Sequence, residues 1–428
     1  MKIVSVYYHG LERRVLENHG LKYKPMLVGE ITYTVNTAHF QYDSDFLDLG
    51  LNLSPFALKQ IPELQESKPA PFNGLHGLFA DSLPDGWGML IMDRTLKQHH
   101  INIADINPVD RLAFIGDRAM GALSYQPDEG AEFISSPKGG VSIDSLAKES
   151  IKIYTGEVDD VLDEVADSSI SPGGSRPKSL IALSGSKSIS GAHDAPEGYE
   201  HWMAKFPAGK NPDNKAEGPI EYIYSLMARH AGITFSETKL IQSDNSDNFY
   251  FLTKRFDRAG NNRRIHMHTL AGLINANFRV ADCDYETLLK VCYKLTGSHD
   301  EVMQLYRRMV FNVMAGNRDD HTKNFSFIMA ADGEWKNSPA YDITYNRGIN
   351  GWHSMAIGAG GKLITLENLF EVAKVFSITK KQVTGIVEDV SESMNLWFEE
   401  SKNHSIPGSL ITEISKHMIT SRKNLSLI

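Results

Sequence analysis

Cysteine is scarce: only Cys283 and Cys292 occur in 428 residues, and they sit nine apart in a stretch that reads as helical. That spacing holds them too far apart for a disulfide, so the thiols read as reduced groups of a cytosolic protein. Long apolar runs are missing as well, none approaching the roughly 18 to 20 residues that span a bilayer. The opening run from Met1 to Tyr8 alternates like a short strand and meets Glu12 and Arg13 before any signal-peptide core could form. Excess positive charge is lacking, since the formal charge is −9. Coating nucleic acid is therefore not the main task, and DNA contacts are left to a local basic face or a partner. There is no internal repeat, no low-complexity tract, no Walker A spacing, no G-x-S-x-G elbow and no catalytic-cysteine signature. Of sixteen histidines, the pairs His99-His100 and His266-x-His268 lack further ligands at zinc spacing and read as surface or loop groups. What remains, at 41% apolar and 23% charged residues, is an ordinary soluble, cytoplasmic chain long enough for two or three packed substructures.

Residues 1 to about 45 alternate apolar and polar around Gly10, Gly29 and the run from Glu30 to Val35, the mark of a small antiparallel sheet. Over residues 70–88 proline, glycine and aromatics take over. This segment reads as a buried loop of architectural role, leading into a helix from near Trp87 through Met92 to Leu96. Residues 108–126 suggest a short helix, a glycine turn and a strand, and residues 127–140 a linker. Helical periodicity returns at 143–166 and at 220–232, where Gly232 supplies a C-cap. From Leu270 onward the chain reads as mostly helical, interrupted around residues 319–346.

That interruption carries the chemistry. Gly316-Asn317-Arg318-Asp319-Asp320-His321-Thr322-Lys323-Asn324 is followed by Ala340-Tyr341-Asp342-Ile343, so Asp319 and Asn324 stand five apart with Asp342 eighteen further on. A phosphotransferase needs this order for a base, a first magnesium ligand and a second. Alone, an Asp-rich loop after a helix reads as a cap or turn. Upstream, however, Ser169-Ile170-Ser171-Pro172-Gly173-Gly174-Ser175-Arg176-Pro177-Lys178 pairs two glycines, whose backbone N–H groups can converge on an anion, with two cations. In the strand-like run from His201 to Pro207, Trp202, Ala204 and Phe206 share one face and Lys205 lies on the other. A strand lysine of this kind can grip phosphates and pair with a helix glutamate, for which Glu221 at the start of the next helix is the candidate; the plain alternative is a snorkelling edge lysine. The aromatic run from Asn248 to Arg258 would then lead into a hinge against which an adenine packs. Taken in order, these segments fit a nucleotide cleft.

These residues resemble the HipA family of bacterial Ser/Thr kinases, the toxins of type II toxin–antitoxin systems. Leu83-Pro84-Asp85-Gly86-Trp87 and Phe114-Ile115-Gly116-Asp117 are similar to the family's N-terminal domain. Gly173 to Lys178, Lys254-Arg255-Phe256-Asp257-Arg258, Gly316 to Asn324 and Pro339-Ala340-Tyr341-Asp342 are similar to its kinase core. The resemblance implies a two-lobed, protein-kinase-like α+β fold. Its parts would be a small β-rich subdomain at 1–128, a nucleotide-clamping lobe at 129–257 and a mostly helical C-terminal lobe at 258–428. It implies ATP and Mg2+ as cofactors, with Asp319 as catalytic base, Asn324 and Asp342 as magnesium ligands and Lys205 as the phosphate-gripping lysine. Gly173, Gly174, Ser175, Arg176, Lys178, Arg255, Phe256, His321 and Tyr341 would surround the nucleotide. Family members autophosphorylate a serine of the glycine-rich loop, ejecting that loop and shutting the kinase off; Ser171 sits at the matching place, with Ser169 and Ser175 as competitors. They phosphorylate aminoacyl-tRNA synthetases and bind a small helix-turn-helix antitoxin, HipB-like, that sits on operator DNA. Two rival readings keep part of this picture: a small-molecule phosphotransferase with the same cleft, and a catalytically idle corepressor that binds antitoxin.

Overall fold

The computed structural model describes residues 2–12, 25–136 and 139–425. Met1 and Arg13 of the leading run, and Pro137 and Lys138 of the expected linker, lie outside the described residues. In the first sheet, β1 (Ile3–Tyr8) pairs with β2 (Met26–Thr34) on one side and β5 (Leu123–Gln126) on the other. Beyond β2 come β3 (Thr37–Tyr42) and β4 (Gln65–Glu66), and every pairing is antiparallel. Val4, Val6 and Tyr8 alternate inward along β1, as a period of two requires. Helices α1 (Ser44–Asp48), α2 (Gly77–Ala80), α3 (Gly86–Gln98) and α4 (Pro108–Ile115) complete this domain. At α4 the chain starts its helix with an Asn107–Asp110 capping box and Pro108 in the first turn.

The expected linker is not a free tether in its described part. It contains α5 (Gly130–Phe133), whose Phe133 ring packs on Phe114 and His99. The helical stretch read at 143–166 is two helices, α6 (Ile143–Tyr154) and α7 (Asp163–Ser169). A second antiparallel sheet follows, built from β6 (Lys178–Ser184), β7 (Lys187–Ser190), β8 (Glu200–Lys205), β9 (Thr238–Gln242) and β10 (Phe249–Lys254) in the order β7-β6-β8-β10-β9. Between β8 and β9 runs α8 (Pro212–His230), which starts well before residue 220 because Asn211 caps it and Pro212 fits its first turn. Glu221 consequently lies mid-helix rather than at the start.

After the small ribbon of β11 (Arg258–Ala259) and β12 (Arg263–Arg264), a third sheet pairs β13 (His266–Thr269), β14 (Ser326–Met329) and β15 (Trp335–Asn337). The remaining helices are α9 (Leu270–Ile274), α10 (Tyr285–Thr296), α11 (His299–Ala315), α12 (Leu366–Lys374), α13 (Lys380–Ser393), α14 (Asn395–Glu400) and α15 (Gly408–Leu425). Cys283 precedes α10 instead of lying within it, and both cysteines are free. His266 and His268 are not surface groups: both are buried in β13, where His268 meets Asp81 at 2.6 Å and Ser54 at 2.9 Å, and His266 meets the Leu53 carbonyl at 2.9 Å. They seam the N-terminal domain to the third sheet. Among the described residues no helix is long and apolar enough to cross a membrane.

A second seam is ionic. Asp257, fully buried, accepts from Arg255 at 2.9 and 2.7 Å and from Arg258 at 2.9 Å, and takes the Gly121 N–H at 2.8 Å. Arg258 returns a bond to the Gly121 carbonyl at 2.8 Å. Burial alone would raise the Asp257 carboxyl; the two guanidiniums overrule it and hold it well below the usual range. Removing a carboxylate here strands two cations away from water. Asp257→Ala should therefore cost about 3–5 kcal/mol in denaturant unfolding; a loss near that of an exposed ion pair would refute this seam.

Candidate active site

The site is assembled where the second sheet meets the loop after α11. Helix α11 ends on Gly316, whose φ of +75° is left-handed and whose missing side chain leaves room for His417; a Cβ there would lie 2.6 Å from the imidazole. The chain then turns through Asn317, tied to Asn312 by bonds of 2.9 Å from its backbone and 3.0 Å from its carboxamide. Asp320 is the loop's buried anchor. Its carboxylate accepts from Tyr285 at 2.7 Å and from the Ser354 N–H at 2.8 Å, and meets His353 at 2.8 Å. With its neighbour pinned inward, Asp319 is directed outward, its side chain 52% exposed.

Asn324 closes the turn by donating its carboxamide N–H to the Asp319 carbonyl at 2.6 Å, which leaves its side-chain oxygen outside that bond. Arg308, buried on α11, donates to the Asn324 carbonyl at 2.8 Å and the Tyr341 carbonyl at 3.0 Å, locking the loop to the segment of Asp342. Asp342 itself adopts a left-handed φ of +55°. Lys205, at the end of β8, reaches both Glu221 at 2.6 Å and Asp342 at 2.5 Å. The anticipated lysine–glutamate pair is thus present, and Asp342 joins it.

The electrostatics follow from these distances. Lys205 loses hydration on burial, but the Asp342 and Glu221 carboxylates more than compensate and keep its ammonium firmly charged. Asp342 is held well below the carboxylate range by Lys205 against the opposing effect of burial. Glu221 is pushed up to about 7 by burial, with the Asp342 charge adding to the rise and Lys205 resisting it. Lys178, buried and facing Lys205, falls to about 8. Burial also raises Asp319; the His321 ring 3.8 Å away resists, and the Asp342 and Asp320 charges reinforce the rise. Asp342 is thus among the charges that bear on Asp319.

Other anticipated residues take different parts. Lys178 donates to the Gly173 carbonyl at 2.7 Å, bracing the glycine-rich loop from beneath, and Arg176 pairs with Glu217 at 3.0 Å on the exposed side beside Ser175. The Gly174 N–H is taken by Asp85, so this amide does not stand open to an anion. Arg255 does not face a nucleotide: its guanidinium is buried on Asp257 and the Gly191 carbonyl. Phe256 packs on the Tyr341 ring at 5.7 Å, while the Tyr341 hydroxyl donates to the Lys323 carbonyl at 2.7 Å, making Tyr341 a brace for the loop more than a nucleotide contact. His321 lies against Phe278 at 5.7 Å, with its Nδ1 buried and unpartnered. Ser171 is buried and its Oγ likewise has no partner.

Sequence reasoning missed Asp320, Arg308 and Asp85. Asp85 belongs to the segment read as purely architectural, yet it binds Lys323 at 2.9 Å beside Asn324. Its Leu-Pro-Asp-Gly-Trp setting was visible as a motif, but nothing local says what the carboxylate reaches.

Among the described residues no group of three or more His, Cys, Asp or Glu is arranged to hold a metal. Magnesium seldom has such a cage; it takes one or two protein oxygens and completes its shell with phosphates and water. The hard oxygens of Asp342 and Asn324, beside a charged lysine, fit that pattern.

A two-lobed α+β fold of protein-kinase type, with a lysine–glutamate pair above and a D-x-x-x-x-N loop below, defines the class. Family models bear on this directly: the HipA N-terminal domain matches residues 22–126 and the HipA-like C-terminal domain matches residues 170–398. The chain belongs to the HipA family. It shares its fold with HipA of Shewanella oneidensis, solved with HipB and operator DNA, at a TM-score of 0.67 and 16% identity over 94% of this chain and 95% of that one. A Haemophilus influenzae protein whose name assigns it provisionally to the kinases is 28% identical over 29% of this chain, and the match spans only 42% of that protein's length. Likeness to the Helicobacter pylori proinflammatory kinase CtkA, at a TM-score of 0.35 and 16% identity over 54% of this chain and 86% of that one, is too distant to carry weight.

The Lys205 triad predicts a pH signature. Unfolded, Glu221 releases its proton near its ordinary value of 4.5; folded, it holds it to about 7. The native state therefore binds more protons across that window, and this group's contribution to stability falls as pH rises through it. Urea unfolding at a series of pH values should show a shallower fall in Glu221→Gln than in the parent; equal slopes would contradict the assignment.

Proposed function

We propose that this chain is an ATP- and Mg2+-dependent protein serine/threonine kinase, the toxin of a toxin–antitoxin pair. One observation carries the reading: Lys205 bridges Glu221 and Asp342, and Arg308 ties the Asp342 segment to the loop on which Asp319 stands exposed. Structural packing alone gives no reason to place a carboxylate at positive φ against a shared lysine. Lys205 and the loop over residues 173–178 would orient the triphosphate, while Asp342 and Asn324 would hold the metal. Bound Mg2+ would neutralise charge between the β- and γ-phosphates. Asp319 orients the acceptor hydroxyl and takes its proton as the oxygen bonds to the γ-phosphorus and the bond to the bridging oxygen breaks. Its raised affinity for protons suits it to that task.

The partners we propose are a HipB-like helix-turn-helix antitoxin, through which operator DNA is reached, and a translation protein such as an aminoacyl-tRNA synthetase as substrate. The solved relative, in complex with HipB and its operator, supports the first; the resemblance in sequence supports the second. Asp319→Asn should lower transfer from γ-labelled ATP by about 10²–10⁴-fold while sparing nucleotide binding by calorimetry. Near-parental transfer would overturn the proposal, and transfer only to small molecules, with no new phosphoserine or phosphothreonine in a host proteome, would move it to the small-molecule reading.

Regulation by autophosphorylation at Ser171 belongs to the same proposal. A phosphate of about −1.5 to −2 charge cannot stay where that hydroxyl is buried, so the loop over residues 171–178 would have to leave its seat. Intact-mass measurement after incubation with Mg·ATP should show one added phosphate mapping to Ser171, absent in Ser171→Ala. Unchanged mass, or a phosphate mapped elsewhere, removes this part.

A further inference from the structure

Asp85 stands at the N-cap of α3, where an aspartate ordinarily accepts from its own helix, yet its side chain makes no capping bond. It gives up that stabilisation to reach two other elements: its Oδ1 accepts the Gly174 N–H and its Oδ2 binds Lys323 Nζ at 2.9 Å. Both side chains of the ion pair are largely withdrawn from water, at 18% and 16% exposure. The start of α3 supports the same junction. Trp87 donates its backbone N–H to the Gly174 carbonyl at 3.0 Å and its indole N–H to the Lys178 carbonyl at 2.9 Å. Gly86 and Gly88 let the two backbones touch, since a Cβ on either would fall 2.6 Å from Ser175 Cα or 2.4 Å from the Ile170 carbonyl. At the other end, Lys323 directly precedes Asn324, and its carbonyl receives the Tyr341 hydroxyl next to Asp342.

We propose that Asp85 is a positioning residue, a clasp from the N-terminal domain that fastens the glycine-rich loop to the catalytic loop and so sets the separation between them. The inference rests on the phosphotransfer reading above for its catalytic consequence, but the clasp itself is a property of the nucleotide-free protein. Asp85 touches neither the reacting atoms nor the metal ligands. It acts through Gly174, which fixes the loop's height over the triphosphate, and through Lys323, which fixes Asn324. Buried against Lys323 and the Gly174 N–H, its carboxyl remains ionised below the usual range even though burial opposes this.

Hydrogen exchange of amides 171–178 in the full chain without nucleotide tests the clasp directly. Losing a hydrogen bond to a charged group should speed exchange at Gly174 about tenfold or more in Asp85→Ala, with protection of β1 and β2 kept. Asp85→Asn, which retains an acceptor for Gly174 but not the ion pair, should lie between Ala and parent. Lys323→Met should loosen the loop and add little to Asp85→Ala in the double variant. In steady-state assays of the same proteins, KM for ATP should rise more than kcat falls. Unchanged exchange over 171–178 in both Asp85→Asn and Lys323→Met would overturn the proposal, as would protection lost equally throughout the N-terminal sheet. Should the parent transfer no phosphate, the functional reading fails on its own, and the exchange result still decides the clasp.

Discussion

One lysine between two carboxylates organises this molecule. Lys205 comes from the second sheet, Glu221 from α8 and Asp342 from the segment after β15, so a single ammonium fixes three distant parts of the chain at one point. It cannot serve both acids equally. Asp342 gains the greater stabilisation and stays ionised, whereas burial pushes Glu221 up to about 7. The arrangement sets a firmly charged ion pair beside an imperfectly compensated internal acid.

Around that point the scaffold is rigid by construction. Asp320 is held by three groups from α10 and the segment near residue 353, and Arg308 grips the carbonyls of Asn324 and Tyr341 from inside α11. The backbone on either side of Asp319 and at Asn324 is thus set by buried partners. For the phosphotransfer proposed above, preorganisation of this sort would place the energetic cost in folding rather than in the chemical step.

The proposed site was legible in the sequence where spacing marks it. Asp319, Asn324 and Asp342 could be singled out from order and interval, and Lys205 with Glu221 from a strand–helix succession, and the structure brings Lys205, Glu221 and Asp342 together. Residues whose task is set by a partner far along the chain were not legible. Asp85 meets Lys323, Asp81 meets His268, and Arg308 bonds carbonyl groups that any residue could offer. The family resemblance placed Arg255 at the nucleotide, but Asp257 two residues on turns it inward. Burial, invisible in a single sequence, likewise separates His266 and His268 from surface histidines. The first sheet was readable from alternation, whereas β14 and β15 of the third lie where the chain read as mostly helical; the early start of α8 was readable only through Asn211-Pro212.

The ionic seam at Asp257 carries an implication for inheritance. Gly121 lies within the N-terminal family domain, while Asp257 and Arg258 lie within the C-terminal one. Each half therefore completes the hydrogen bonding of groups buried in the other. Exchange of one half for that of a distant relative would bring together surfaces that had not diverged in step, leaving cations or amides sealed in without counterparts. Such a boundary makes the two halves physically interdependent, each a poor partner for an unmatched counterpart.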